Sequence, residues 1–278
     1  MIAPPTMRRA VRRLLTAALA AATALLALTA PLAPAAATAP AAATAPATAT
    51  GPGQDVDPVP APVERLYGQE IRKIPTAERV VALTFNAAWN DQGLDTVLDE
   101  LRRQDAPATF FLTGDFAERH PAAARRIAAA GHGLGNHSYS HPHFGDLTPE
   151  GRAREVLRAD RAIRDASGTE PLPFFRFPYG DTAPGQIDEV NALGFADVEW
   201  TTDTNGWKGT AGGMSVAKAV QRALDVLAPG AILQMHVGSP DGSGTVLDAQ
   251  ALPRIIDAFR ARGYEITDLR TALLGPGA

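Results

Sequence analysis

Cysteine is absent from the 278-residue chain, so no disulfide holds it and an extracellular address has to be argued from other features. An excess of positive charge is lacking too. The formal net charge is −4, and setting aside four N-terminal arginines leaves 22 basic residues against 30 acidic ones, a net of −8. That balance speaks against a nucleic-acid partner. Large apolar side chains are nearly missing between Pro31 and Pro62, where Ala, Pro and Thr dominate. Such a stretch buries too little surface to offset the entropy of ordering, and residues 31–62 read as a disordered tether.

Ahead of the tether, Arg8, Arg9, Arg12 and Arg13 precede an apolar run, residues 14–28, that ends in small residues and Pro31. This is the pattern of an export signal, assigned to residues 1–37. Several Ala-x-Ala choices between Ala27 and Ala47 leave the cut site open, and an uncleaved signal anchor is the alternative. No other stable membrane domain is expected. The paired arginines are a weak twin-arginine signal. The expected location is secreted or associated with the cell envelope, with one domain over residues 63–278 and its core at 79–269.

Residues 80–85 are a β-branched-rich run of the kind buried on both faces in a parallel sheet. Leu94, Val97, Leu98 and Leu101 then recur at helical spacing, and residues 108–112 form a second strand. Pro121 opens an alanine-rich helix that Gly131 ends. Residues 133–136 make a third strand, and Thr148-Pro149-Glu150 starts a long helix closed by Gly168. Residues 174–177, 196–200, 231–235 and 264–267 read as strands four to seven, with helices between. Alternation without hairpin signals predicts a parallel sheet with helices outside. Asn86, Asp115, His137 with His141, Arg176, Asp203 and His236 fall at or just after the ends of strands one to six. A closed barrel gathers such positions round one mouth, so the expected fold is α/β, an irregular seven- or eight-stranded (β/α) barrel.

His137 and His141 stand four apart in Gly135-Asn136-His137-Ser138-Tyr139-Ser140-His141-Pro142-His143, a spacing that can bring two imidazoles to one side of a helical turn and grip a divalent metal. Loop histidines are as commonly just solvated, so their company decides. Arg176-Phe177-Pro178-Tyr179-Gly180, Asp203-Thr204-Asn205-Gly206-Trp207 and Leu233-Gln234-Met235-His236 each follow a short apolar run.

On these segments, and on Leu83-Thr84-Phe85, the chain resembles the polysaccharide deacetylase family, the NodB-homology domain of carbohydrate esterase family 4. The likeness spans roughly residues 79–269. It implies a NodB-type barrel that removes N-acetyl groups from a glycan such as peptidoglycan or chitin oligomers, hydrolysing a non-peptide C–N bond with metal-activated water. The metal, zinc first with cobalt, nickel or manganese as alternatives, would sit on His137 and His141. His236 would be the general acid with Asp203 holding its ring, and the Tyr179 backbone N–H an oxyanion donor. Trp207 and Leu233 would line the acetyl pocket.

The family's first motif is where the chain departs. Two aspartates normally follow Thr-Phe, the first a general base and the second a metal ligand, but Asn86 and Ala87 stand here. An amide takes no proton at neutral pH and a methyl binds no metal. Thr84-Phe85-Asn86-Ala87-Ala88-Trp89 looks like the divergent branch that includes sporulation-type deacetylases. Arg176, which orients the base in active relatives, is left to pair with Asp181 or another carboxylate, or to bind an anion. Asp91, Asp115, the Asn86 amide oxygen and His143 are the candidates for a third ligand, with Asp91 also a candidate displaced base. Two functions follow as expectations: an exported metal-dependent N-deacetylase, or a non-catalytic glycan-binding pseudoenzyme of the same fold.

Overall fold

Short apolar runs and helical repeats alternate through a computed structural model that describes residues 63–239 and 244–275. The expected export region and tether lie outside the described residues. In chain order the elements are β1 (Glu70–Ile71), β2 (Val80–Ala87), α1 (Leu94–Arg103), β3 (Thr109–Leu112), α2 (Gly114–Arg119), α3 (Pro121–Ala129) and β4 (Gly133–Asn136). There follow α4 (Pro149–Ser167), β5 (Phe174–Phe175), α5 (Pro184–Ala192), β6 (Ala196–Val198) and β7 (Thr202–Asp203), then α6 (Val216–Asp225), β8 (Ala231–His236), α7 (Leu247–Arg260) and β9 (Glu265–Thr267).

The strands form one sheet in the order β1-β6-β5-β4-β3-β2-β8-β7, with β9 also on β2. Every ladder between named strands is parallel. This is the curled α/β architecture of a NodB-type barrel, as expected. The expected fifth strand, residues 196–200, stops at Val198, and a further short strand, β7, follows it. After Val198 the chain bends, and Thr201 N donates to Ile232 O at 2.9 Å and Thr204 N to Gln234 O at 3.1 Å. One segment thus leaves β5 as β6 and joins β8 as β7. The fourth strand stops at Phe175, two residues before Phe177, whose successor Pro178 opens a 3₁₀ turn. The short helix α2 was not expected from the sequence. Its start is set by Thr113, whose hydroxyl accepts from Phe116 N at 3.1 Å, one of the orphan amide donors of a helix N-terminus.

Period-two alternation divides β2 between two cores. Val81, Leu83, Phe85 and Ala87 pack under the helices with Leu233, Met235 and Phe259. Ala82 joins Phe111, Phe174, Val198 and Ile232 in a separate cluster. On that same β2 face, Thr84 and Asn86 turn polar, so a polar layer stacks above an apolar plug beneath the mouth. Phe85 and Phe110 stack at 4.9 Å in the helix-side core, both without solvent exposure. Phe110→Ala is expected to cost about 3–5 kcal/mol, read as a lower urea midpoint at unchanged slope.

Candidate functional site

The site begins where β4 ends. His137 is buried, and its Nδ1 lies 2.8 Å from the carbonyl oxygen of Arg176. That acceptor places the proton on Nδ1 and leaves a lone pair on Nε2. His141 brings its own Nε2 to 3.2 Å from this atom. Burial holds His137 well below the ordinary imidazole pKa and brings His141 down to about 4, so both rings are neutral at pH 7.

The two rings meet through a loop, not through the helical turn that their spacing suggests. Ser138 and His141 take φ of 65° and 59°, left-handed conformations that cost a non-glycine residue roughly 1–2 kcal/mol each. The turn is held both from helix α4 and from within the loop. Glu155 on α4 accepts from Tyr139 N at 2.9 Å, Ser140 N at 2.7 Å and Ser140 Oγ at 2.9 Å. Asn136 Oδ1 accepts from Ser138 N, and Ser138 Oγ accepts from His141 N, both at 3.0 Å.

Below the histidines lies the polar layer. Arg176, fully buried, donates from Nη1 to Asn86 Oδ1 and Thr84 Oγ1 at 3.0 Å and to Gln234 Oε1 at 3.4 Å. Its Nε and Nη2 reach the carbonyl oxygens of Val198 and Glu199 at 3.0 and 3.1 Å. It makes no ion pair within 4.0 Å, either with Asp181, which faces His143 at 3.6 Å, or with any other carboxylate among the described residues. Because Arg176 donates, the oxygen of the Asn86 amide must face it, and the NH₂ group must face away. That NH₂ group lies 3.1 Å from Gln234 Oε1 and 3.1 Å from His137 Nε2. Asn86 therefore caps the lone pair that a metal would need.

On the far side of the mouth, His236 is ringed by Trp89 and Trp207, with centroids at 5.8 and 6.1 Å. Asp203, expected to hold this imidazole, is 3.9 Å from Nδ1 and is engaged elsewhere. Its oxygens accept from Asn205 N at 2.7 Å and Trp207 Nε1 at 3.0 Å. The nearer carboxylate is Asp248 on α7, fully buried and 3.6 Å from Nδ1. It accepts from His236 N at 2.9 Å and from Thr204 Oγ1 at 2.6 Å. A Cβ on Gly206 would sit 2.0 Å from Asp248 Oδ1, so a glycine is what lets this carboxylate approach. Tyr179 is 57% exposed at φ 63°, its ring stacked on His143 at 4.0 Å and edge-on to His141 at 4.6 Å.

Several expected participants are placed otherwise. Asp91 lies 3.5 Å from His120 and Asp115 pairs with Arg119 at 2.8 Å, so neither is a third ligand. Leu233 packs in the helix-side core, because alternation along β8 turns Gln234 and His236 to the mouth instead. Ala87 is likewise buried under the helices, where a carboxylate would be surrounded by apolar side chains. Two Nε2 atoms 3.2 Å apart would subtend about 100° at an ion about 2.05 Å from each, two corners of a tetrahedron. Protein zinc sites use three or four protein ligands, and no group of three His, Cys, Asp or Glu able to hold an ion occurs among the described residues. The donor set does not fit a resident zinc, cobalt, nickel or manganese ion. Gln234 was legible from period two once His236 was placed, whereas Glu155 and Asp248 sit in helices without a local signal.

The chain belongs to the polysaccharide deacetylase family. The family model described as Polysaccharide deacetylase matches residues 73–198. The chain is 30% identical over 195 residues to a peptidoglycan-N-acetylglucosamine deacetylase of Bacillus cereus, covering 70% of this chain and 68% of that one. It is 34% identical over 215 residues to a chitooligosaccharide deacetylase of a Bradyrhizobium species, covering 74% and 94%. The crystal structure of a CE4 family pseudoenzyme from Bacillus anthracis matches with a TM-score of 0.68 at 27% identity, covering 76% of this chain and 70% of that one. A mutant described as a CE4 family pseudoenzyme with restored enzymatic activity matches with the same TM-score and identity, covering 76% and 73%.

The loop geometry carries a test. Glu155→Ala removes three charge-assisted hydrogen bonds at once, so the amides of Tyr139 and Ser140 are expected to exchange with deuterium roughly 10–100-fold faster. Unchanged exchange would show that the turn holds itself.

Proposed function

We propose that this protein is an exported, glycan-directed member of the family that recognises N-acetylated chains of the peptidoglycan or chitin type and has lost the hydrolytic step. The observation that carries this reading is the fixed Asn86 amide. Where the family places a base, the chain presents an NH₂ donor that cannot turn, since Arg176 claims its oxygen at 3.0 Å. The family's deacetylases are generally metal-dependent, yet the same amide occupies His137 Nε2. Recognition has surfaces to work with. The rings of Trp89, Trp207 and His236 cluster at the mouth, and exposed Tyr179 lies across it on His143. Flat aromatic faces with a polar edge suit stacking against sugar rings. The likeness to a pseudoenzyme of the same family, and to a variant with restored activity, supports the reading.

Deacetylation itself is the second reading, favoured by His236 standing beside the carboxylates of Asp203 and Asp248. Calorimetry with an N-acetylglucosamine tetramer and an acetate-release assay separate the two. The unaltered protein is expected to bind the tetramer, with affinity falling about tenfold or more in Trp207→Ala, and to release no acetate with or without added zinc. Asn86→Asp frees His137 Nε2 and supplies a proton acceptor, so acetate release is expected to become measurable, general-base help being worth about 10²–10⁴-fold. Chelator-sensitive acetate release from the unaltered protein would overturn the first reading in favour of the second.

A further inference from the structure

Arg176 poses a problem of charge. Its five hydrogen bonds all end on neutral oxygens, those of Thr84, Asn86, Gln234 and the carbonyls of Val198 and Glu199. A fully buried cation without an opposite charge is strongly disfavoured. Burial lowers its pKa only to about 10, with Glu199, Asp197 and Asp203 pulling the other way, so it remains charged at neutral pH. Among the described residues it has no ion-pair partner within 4.0 Å.

Two carboxyl groups stand close by with too little to do. Asp197 and Glu199 alternate with Ala196 and Val198, which join the cluster containing Phe174 and Ile232, so they share the other face of the strand. Both are without solvent exposure. Glu199 Oε1 accepts from Phe177 N at 2.8 Å, at the entry to the turn that presents Tyr179. Among the described residues, its Oε2 and both oxygens of Asp197 have no hydrogen-bond partner. Orphaned buried oxygens call for an explanation. Two carboxyl groups that share one proton satisfy each other, as like charges in one buried site cannot both ionise.

We infer that Glu199 is the resident counter-ion of Arg176 and anchors the Phe177–Gly180 turn, while Asp197 carries the shared proton. In this chain the negative charge that position 86 lacks is therefore supplied from the residue just after β6. The buried set of Arg176, ionised Glu199 and neutral Asp197 is then electrically balanced with Asn86 in place, and an aspartate at 86 would upset it. Burial raises both acids, Asp197 further because the Glu199 charge adds to it, whereas Arg176 and the Phe177 amide restrain the rise at Glu199. The other charged groups facing the pair are Glu70 on β1 and Arg72 just after it.

A double-substitution cycle on the full chain tests the inference without any ligand, so its outcome is independent of the glycan reading. Glu199→Gln is expected to lower Tm at pH 7 by roughly 6–12 °C, because Arg176 loses its counter-charge. In Asn86→Asp with Glu199→Gln the new aspartate supplies that charge, and the double variant is expected to melt at least about 5 °C above the sum of the two single effects. Additive effects would overturn the inference. If Glu199→Gln alone is not recovered folded, recovery of folded double variant is the supporting result and its failure the opposing one. Acids raised in the folded state stabilise it at low pH and lose that effect as pH rises through their folded pKa. The Tm of the unaltered protein is thus expected to fall between pH 5 and pH 9 by more than that of Asp197→Asn, which keeps a donor without a titrating proton. An Asp197→Asn loss at pH 7 as large as that of Glu199→Gln would show Asp197 ionised and overturn the shared proton.

Discussion

A single buried guanidinium organises the mouth of this barrel. Arg176 leaves the end of β5 and binds side chains of β2 and β8 and backbone carbonyls at the end of β6. Its own carbonyl orients His137. Four strands are thereby tied together by one planar, rigid donor array, which a lysine with its point charge would not reproduce. Its Cζ also lies 3.9 Å from the Phe111 ring centroid, so the layer below it is packed as well as bonded.

That dependence changes what the surviving site residues say about activity. Thr84, Asn86, Gln234 and Arg176 satisfy one another in a buried layer, and removal of any one would strand the others. His137 and Asp248 are likewise tied into backbone groups. These residues have structural reasons to persist in a chain that hydrolyses nothing. Their presence marks the family, and the altered residue at the strand end marks the chemistry.

The fold was legible because strand and helix periods are local and strong: the helix from Leu94 and the long helix capped by Thr148 fall where spacing and capping place them. The bend that splits β6 from β7 was not, since it is set by which neighbour each half finds. At the site, strand-end positions could be read from the sequence, but side-chain direction required the pleat. Leu233 and Gln234 differ by one residue and lie on opposite faces, and only the register with Asn86 opposite His236 shows which enters the mouth. Asp91 and Asp115 looked available because their partners, His120 and Arg119, are loop and helix neighbours with no motif to announce them.

The left-handed turn between His137 and His141 has a thermodynamic consequence. The two residues between its strained positions, Tyr139 and Ser140, are held by Glu155 from helix α4, so the mutual approach of the two imidazoles is a tertiary property that the unfolded chain does not possess. Any species seated between those rings would recognise the native state alone, and its binding free energy would appear directly as resistance to unfolding, growing with the logarithm of its concentration. The turn thus makes occupancy and melting two views of one equilibrium.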